Sequence, residues 1–176
     1  MKNNSEQSKE SGLPTYSDGL LRLPKTHGRG MRDRAFSVFI FNTKGELLLQ
    51  KRAESKTRFP GKWSNTCCGH PRKAEGRDDA AARRLGEEMG LYCELVSVLE
   101  IATNVEIFKG VVQIEMEYIY FGVTDELPLL NHTEASEYKY VKMEGLDKVV
   151  LANPDEYCDW LERSYESIMK CYNNFF

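Results

Sequence analysis

Asn65-Thr66-Cys67-Cys68-Gly69-His70-Pro71 sets two thiols and an imidazole into one short run. Arg83-Arg84-Leu85-Gly86-Glu87-Glu88-Met89-Gly90 follows with paired cations and paired carboxylates. Groups of these kinds concentrate at chemical sites more than in packed cores. Together they can hold a metal, an anion and a transferable proton. A third set lies downstream in Glu115-Met116-Glu117. Alternation along a strand puts Glu115 and Glu117 on one face, with Met116, Tyr118 and Tyr120 on the other. Two like charges there are costly unless water or a cation is present. A solvated sheet face and a divalent metal site both stay open on the strand pattern alone.

Among five cysteines, Cys93, Cys158 and Cys171 read as small buried hydrophobes. Cys68 differs, because Gly69 and a His-Pro pair follow it in a segment that reads as a loop ahead of a helix. Such a loop is expected to be exposed, and nearby cations or the helix N-terminus are expected to favour thiolate. A Cys67–Cys68 disulfide is disfavoured by backbone strain and by the reducing compartment inferred below. Arg52, Lys56 and Arg84 are candidates for an anion, arginine as a planar fork and lysine as a point charge. Arg72, Lys73 and Arg77 fit a solvated basic patch better. Glu87 and Glu88 could take a Mg²⁺ that also touches phosphates. Glu87 reads equally well as an exposed ion-pair partner. Of the three histidines, His27 alone reads as a surface or cap residue, and His132 as a loop residue without a role.

These groups need elements to position them. Arg34 to Phe41 alternates and is rich in aromatic and β-branched residues, so it reads as a strand. Asn42-Thr43-Lys44-Gly45 is turn chemistry, and Glu46 to Arg52 reads as the return strand. Phe59 to Trp63 reads as a rigid loop. Gly76 to Met89 reads as a helix with Ala80, Ala81, Leu85 and Met89 on its apolar face. Asp78 and Asp79 suit its first turn and Gly90 its C-cap. Val96 to Thr103 and Val111 to Val123 read as strands. Pro154 to Asn173 reads as an amphipathic helix with Trp160, Leu161, Tyr165 and Ile168 as core contacts. This order predicts an α/β sandwich with a mixed sheet.

The chain has 176 residues, enough for one domain with a core. Residues 1–15 are polar and read as a disordered tail, leaving 16–176 as a single domain. A net charge of −3 excludes a global basic field for nucleic acid or an anionic membrane. No apolar stretch reaches a membrane span, and no secretory leader is legible. The expected compartment is a reducing cytoplasm with free thiols.

Gly69, Glu75, Arg83, Glu87, Glu88 and Gly90 follow the Nudix box, with Arg84 where the box has a glutamate. Losing that acid disfavours Nudix diphosphate hydrolysis. The same departure marks type I isopentenyl-diphosphate isomerases, which the chain resembles. The resemblance rests on Ala35-Phe36-Ser37, Arg52-Ala53 through Lys56, Pro60-Gly61-x-Trp63-x-Asn65, Cys68-Gly69-His70-Pro71, Arg83-Arg84, Glu88-x-Gly90 and Glu115-x-Glu117, with Pro154 and Trp160 beyond.

The resemblance implies a Nudix-like α/β/α sandwich and an antarafacial 1,3-proton shift on a small-molecule prenyl diphosphate. Cys68 and Glu117 would carry the two proton-transfer roles. Trp160 would face the carbocation with its π-system. Arg52, Lys56, Arg84 and a Mg²⁺ on Glu88 would hold the diphosphate. A second divalent metal would sit on His27, Asp33, His70, Glu115 and Glu117. Asp33 stands where the family has a second histidine, which favours Mg²⁺ or Mn²⁺ over Zn²⁺. Cys67 reads as packing, and Val105 stands where the family has an assisting tyrosine. Isomerisation or cyclisation of a longer prenyl diphosphate is the alternative reading. Oligomeric state is not legible.

Overall fold

The computed structural model describes residues 33–108 and 111–176, with the side chains of 33–34, 103–108, 111–115 and 162–163 outside that description. The tail expected over 1–15 and the candidate ligand His27 lie outside the described residues. So do the side chains of Asp33, Val105 and Glu115.

The elements run β1 (Asp33–Phe41), β2 (Leu47–Arg52), β3 (Trp63–Ser64), β4 (Cys67–Gly69), α1 (Arg77–Met89), β5 (Val96–Phe108), β6 (Val111–Val123), β7 (Ala135–Val141), α2 (Leu146–Ala152) and α3 (Asp159–Phe175). They build a seven-stranded sheet ordered β3-β2-β1-β6-β5, with β4 also pairing β1 and β7 also pairing β2. β1 and β6 run parallel, while the other pairs are antiparallel, so the sheet is mixed as expected.

Period-two alternation divides the core. Phe36, Val38, Ile40 and Leu48 pack with Ala81, Leu85 and Met89 of α1. Phe39, Phe41, Leu47 and Leu49 pack with Leu146 of α2 and Leu161 and Ile168 of α3. The sheet is thus sandwiched between α1 and the α2–α3 pair. Gly90 ends α1 at φ 64, a left-handed conformation that glycine adopts without the Cβ penalty.

Several boundaries differ from the sequence reading. The final helix starts at Asp159, because residues 154–158 serve another purpose. Trp63 N–H donates to Glu156 O at 2.7 Å, and Cys158 N–H donates to Trp63 O at 2.9 Å. The segment therefore docks on β3, which begins at Trp63 inside the expected loop. β5 continues to Phe108, and β7 and α2 were not legible as elements. Cys67–Gly69, expected as loop, is strand β4.

β4 exists because β1 and β2 pair only where Phe41 meets Leu47. Beyond that point they diverge, and residues 63–69 fill the gap. Thr66 Oγ1 donates to Leu48 O at 2.6 Å and accepts from Ile40 N–H at 2.9 Å, bridging the separated strands. Asn65 Nδ2 donates to Val38 O at 3.1 Å and to Cys67 O at 2.6 Å. Both residues are fully buried, so their polar groups must be satisfied within the protein.

Candidate active site

The strut formed by Asn65 and Thr66 decides which thiol faces which way. In β4, Cys67 pairs with Val38 and Cys68 with Ser37. Cys67 therefore shares the Val38 face and is buried in the core under α1. Cys68 shares the Ser37 face, on the side of α3. Across β1, Ala35 stands opposite Glu117 of β6, which puts Glu117 on that same face. Ser37 Oγ donates to Glu117 Oε1 at 2.6 Å. Cys68, Ser37 and Glu117 thus lie in a row across three adjacent strands. Tyr118 and Tyr120 pack on the α1 side, as the alternation predicts.

Trp160 covers this face from the first turn of α3. Its ring meets Phe39 edge-on at 5.7 Å, and its Nε1–H points to Ser64 Oγ at 3.4 Å. The docking of residues 156–158 on β3 sets where α3 begins, and so where Trp160 lands.

The thiolate expected at Cys68 is corrected by these surroundings. Burial pushes the thiol up to about 12, and the Glu88 carboxylate adds to the rise. Arg52 pulls the other way and Glu117 pushes up again. Burial and two acids outweigh one cation, so Cys68 keeps its proton at neutral pH. All five cysteines are free thiols, including the adjacent pair.

The anion-binding candidates gather at the edge beside α1. Glu88 lies on the apolar face of that helix, spaced from Ala81 and Leu85 so that it points inward, and it is buried. Gln50 Nε2 donates to Glu88 Oε2 at 2.8 Å, and Arg84 Nη2 donates to Glu88 Oε1 at 2.6 Å. Burial raises the Glu88 pKa against the opposing pull of Arg84 and Gln50. Arg84 also reaches Glu87 at 3.0 Å and Glu134 at 3.2 Å. Lys56 Nζ donates to the same Glu134 oxygen at 2.8 Å. One chain of polar contacts therefore runs Gln50–Glu88–Arg84–Glu134–Lys56. Arg52 flanks it from the end of β2, where its Nε–H donates to Arg58 O at 2.9 Å.

Glu75 and Arg83 brace the helix. Arg83 forks onto Glu75 at 2.6 and 2.9 Å and reaches Glu87 at 2.9 Å. Arg72 also reaches Glu87, at 3.1 Å, so Glu87 is an ion-pair partner on three sides. The Arg83 hydrogen bond, aided by the Arg72 backbone N–H, holds the Glu75 carboxyl down at about 2. A carboxyl depressed in the folded state stabilises it above the unfolded value of 4.5 and loses that contribution as pH falls toward 2. The stability gap between the protein and Glu75→Gln is therefore expected to be widest near neutrality and to close on acidification through that window. Urea unfolding at a series of pH values measures it, and a gap constant down to pH of about 2 would contradict the ion-pair account.

Of the expected second metal set, the backbone register puts Asp33 opposite Glu115, two residues along from Glu117. His70 immediately follows β4 and is half-buried. Among the described residues, no three His, Cys, Asp or Glu side chains converge as a metal-holding group.

Three site residues carried no role in the sequence reading. Ser37 and Gln50 had a signal, since each is a polar residue on the inward alternation of an otherwise apolar strand. Glu134 had none, because it meets its partners only through the folded chain.

The comparisons agree with this geometry. The NUDIX domain family model matches residues 31–161. An isopentenyl-diphosphate Delta-isomerase of Pectobacterium atrosepticum is 37% identical over 159 residues, covering 90% of this chain and 87% of its own. Isopentenyl-diphosphate Delta-isomerase 2 of Photorhabdus laumondii is 41% identical, covering 81% of this chain and 83% of its own. Among solved structures, DR0079 from Deinococcus radiodurans superposes with a TM-score of 0.66 at 20% identity, covering 87% of this chain and 90% of that one. A MutT protein from Methanosarcina mazei superposes at 0.64, also at 20% identity, covering 82% and 97%. These two likenesses establish the α/β fold. With the box departing at Arg84 and Cys68 facing Glu117's side of the sheet, the chain belongs to the isopentenyl-diphosphate Delta-isomerase family within the NUDIX domain fold.

Proposed function

We propose that this protein interconverts isopentenyl diphosphate and dimethylallyl diphosphate by an antarafacial 1,3-proton shift. The observation that carries the reading is the row Cys68–Ser37–Glu117 on the sheet face where Trp160 packs against Phe39, with Arg52, Lys56 and Arg84 as neighbouring cations. The shift adds a proton at one terminus of an allylic unit and removes one from the other. It needs two proton-handling groups beside an apolar, water-poor wall. Cys68 Sγ holds a proton at rest. Glu117 is oriented by the Ser37 hydroxyl. In a reversible reaction the group that donates in one direction accepts in the other, so Cys68 and Glu117 each serve both ways. The face of Trp160 stabilises positive charge that develops on the carbon between them.

Lys56, Arg84 and Arg52 would take the diphosphate oxygens. Glu88 fits a hard divalent cation such as Mg²⁺ or Mn²⁺. It is a buried carboxylate, and the neighbouring Gln50 Oε1 is buried with no hydrogen-bond partner among the described residues. The cation would neutralise diphosphate charge. His27, Asp33, His70, Glu115 and Glu117 would supply a second site of mixed nitrogen and oxygen donors, favouring Mg²⁺ or Mn²⁺ over Zn²⁺. No helix among the described residues is long and apolar enough to cross a membrane. Free thiols throughout suit a reducing cytoplasm.

Incubation with isopentenyl diphosphate and Mg²⁺ in deuterated water tests the reading. Deuterium in dimethylallyl diphosphate is the expected result. Phosphate release without isomer would overturn it in favour of hydrolysis. Turnover confined to geranyl or longer diphosphates would move it to the alternative substrate class.

A further inference from the structure

We infer that Glu134 is a resident occupant of the anion seat between Lys56 and Arg84, which a diphosphate must displace and a single phosphate cannot. The inference rests on the diphosphate reading above and adds a residue that sets affinity and selectivity.

One oxygen, Glu134 Oε2, lies 2.8 Å from Lys56 Nζ and 3.2 Å from Arg84 Nη2. An oxygen of a phosphoryl group held by the same two cations would take the same place. The carboxylate is largely enclosed, with 18% of its side chain accessible, and Lys56 and Arg84 are similarly enclosed at 13% and 22%. The seat is therefore a built pocket edge rather than a surface ion pair.

The backbone beneath Glu134 is fastened. Its N–H donates to Asn131 O at 2.8 Å, and its carbonyl accepts from Ala53 N–H at 2.9 Å. Asn131 N–H is itself tied to Glu88 O at 3.0 Å. The next residue, Ala135, stands opposite Arg52 in the β2–β7 register. Glu134 thus sits between Lys56 and Arg84 on a fixed main chain, with Arg52 on the neighbouring strand.

A tethered carboxylate competes at high effective concentration. Against it, a ligand bearing one phosphate offers few new charge contacts. A diphosphate offers several, and these offset the displacement. When product leaves, Glu134 returns to the seat and hinders rebinding.

Calorimetric titration with inorganic pyrophosphate and with orthophosphate, on the wild type, Glu134→Gln and Glu134→Asp, tests this. Neutral, isosteric glutamine is expected to tighten pyrophosphate by about tenfold and to bring orthophosphate binding into the measurable range. In turnover the same change lowers KM without raising kcat. Aspartate, one methylene shorter, keeps the charge but withdraws from the two cations, and is expected to tighten pyrophosphate by a smaller factor. Pyrophosphate bound equally or more weakly by both variants would overturn the inference and leave Glu134 a structural brace. A wild type that binds no pyrophosphate and forms no isomer would instead sink the diphosphate reading, and the inference with it.

Discussion

Cys68→Ala is expected to reduce isomerisation by about 10³-fold or more, while Cys67→Ala keeps turnover within a few-fold of wild type. The two thiols are neighbours in sequence, and their difference comes entirely from strand register. Cys68 pairs with Ser37 and shares its face with Glu117, whereas Cys67 pairs with Val38 and is buried under α1. On the proposed mechanism, removing the Cys68 thiol removes one of the two proton-handling groups, on a sheet face where Phe39 and Trp160 pack edge to face. The Ser37 hydroxyl is engaged with Glu117 and cannot take the place of the missing Cys68 thiol. Cys67→Ala deletes one buried sulfur from the core and is expected to cost about 1 kcal/mol of stability without touching the site. Deuterium incorporation from solvent measures the first effect and thermal unfolding the second. Equal loss of activity in both variants would mean that β4 does not hold this register.

The reason Cys68 could be singled out from sequence is that its neighbours, Gly69, His70 and Pro71, are a specific set. Its protonation state could not be. Nearby cations and the helix N-terminus suggest a thiolate when read along the chain. The fold buries the sulfur and brings Glu88 and Glu117 against it, and these outweigh Arg52. The same limit explains β4. A three-residue strand containing glycine has no periodicity to read. It forms because Asn65 and Thr66 bridge strands that have drifted apart, and those partners lie at positions 38, 40 and 48. By contrast α1 was legible from its apolar spacing and its Gly90 stop, and β6 from its period of two. Glu134 marks the far end of the scale. Its partner Lys56 is 78 residues away, and nothing local distinguishes it from a solvated acid.

Arg84→Ala is expected to destabilise the protein by about 3 kcal/mol and to abolish measurable pyrophosphate binding. Arg84 pairs with Glu88 at 2.6 Å, and Glu88 is buried. Burial already raises the Glu88 pKa, with Arg84 the largest opposing influence. Without the guanidinium that carboxylate stays buried beside Gln50 without its ion-pair partner, and its pKa climbs further. A carboxyl raised in the folded state favours folding at low pH, where it is protonated, and opposes it as pH rises through the raised value. The deficit of Arg84→Ala relative to wild type should therefore shrink on acidification, as the Glu75→Gln gap does, but here because a buried charge is neutralised rather than because a stabilising ion pair is lost. Arg84→Lys should recover only part of the loss, because one ammonium cannot reach Glu87, Glu88 and Glu134 at once. Mn²⁺ should raise the melting temperature of Arg84→Ala more than that of the wild type, since a divalent ion can then take the cationic place among the α1 carboxylates. No gain from Mn²⁺ in the variant would show that Glu87 and Glu88 cannot accept a metal there. The gain would show what the departure from the box accomplishes. An arginine fixed to the helix supplies a permanent cation to its acids and, on the proposed reading, also serves an anionic substrate. A glutamate at the same place would gather metal around those acids instead.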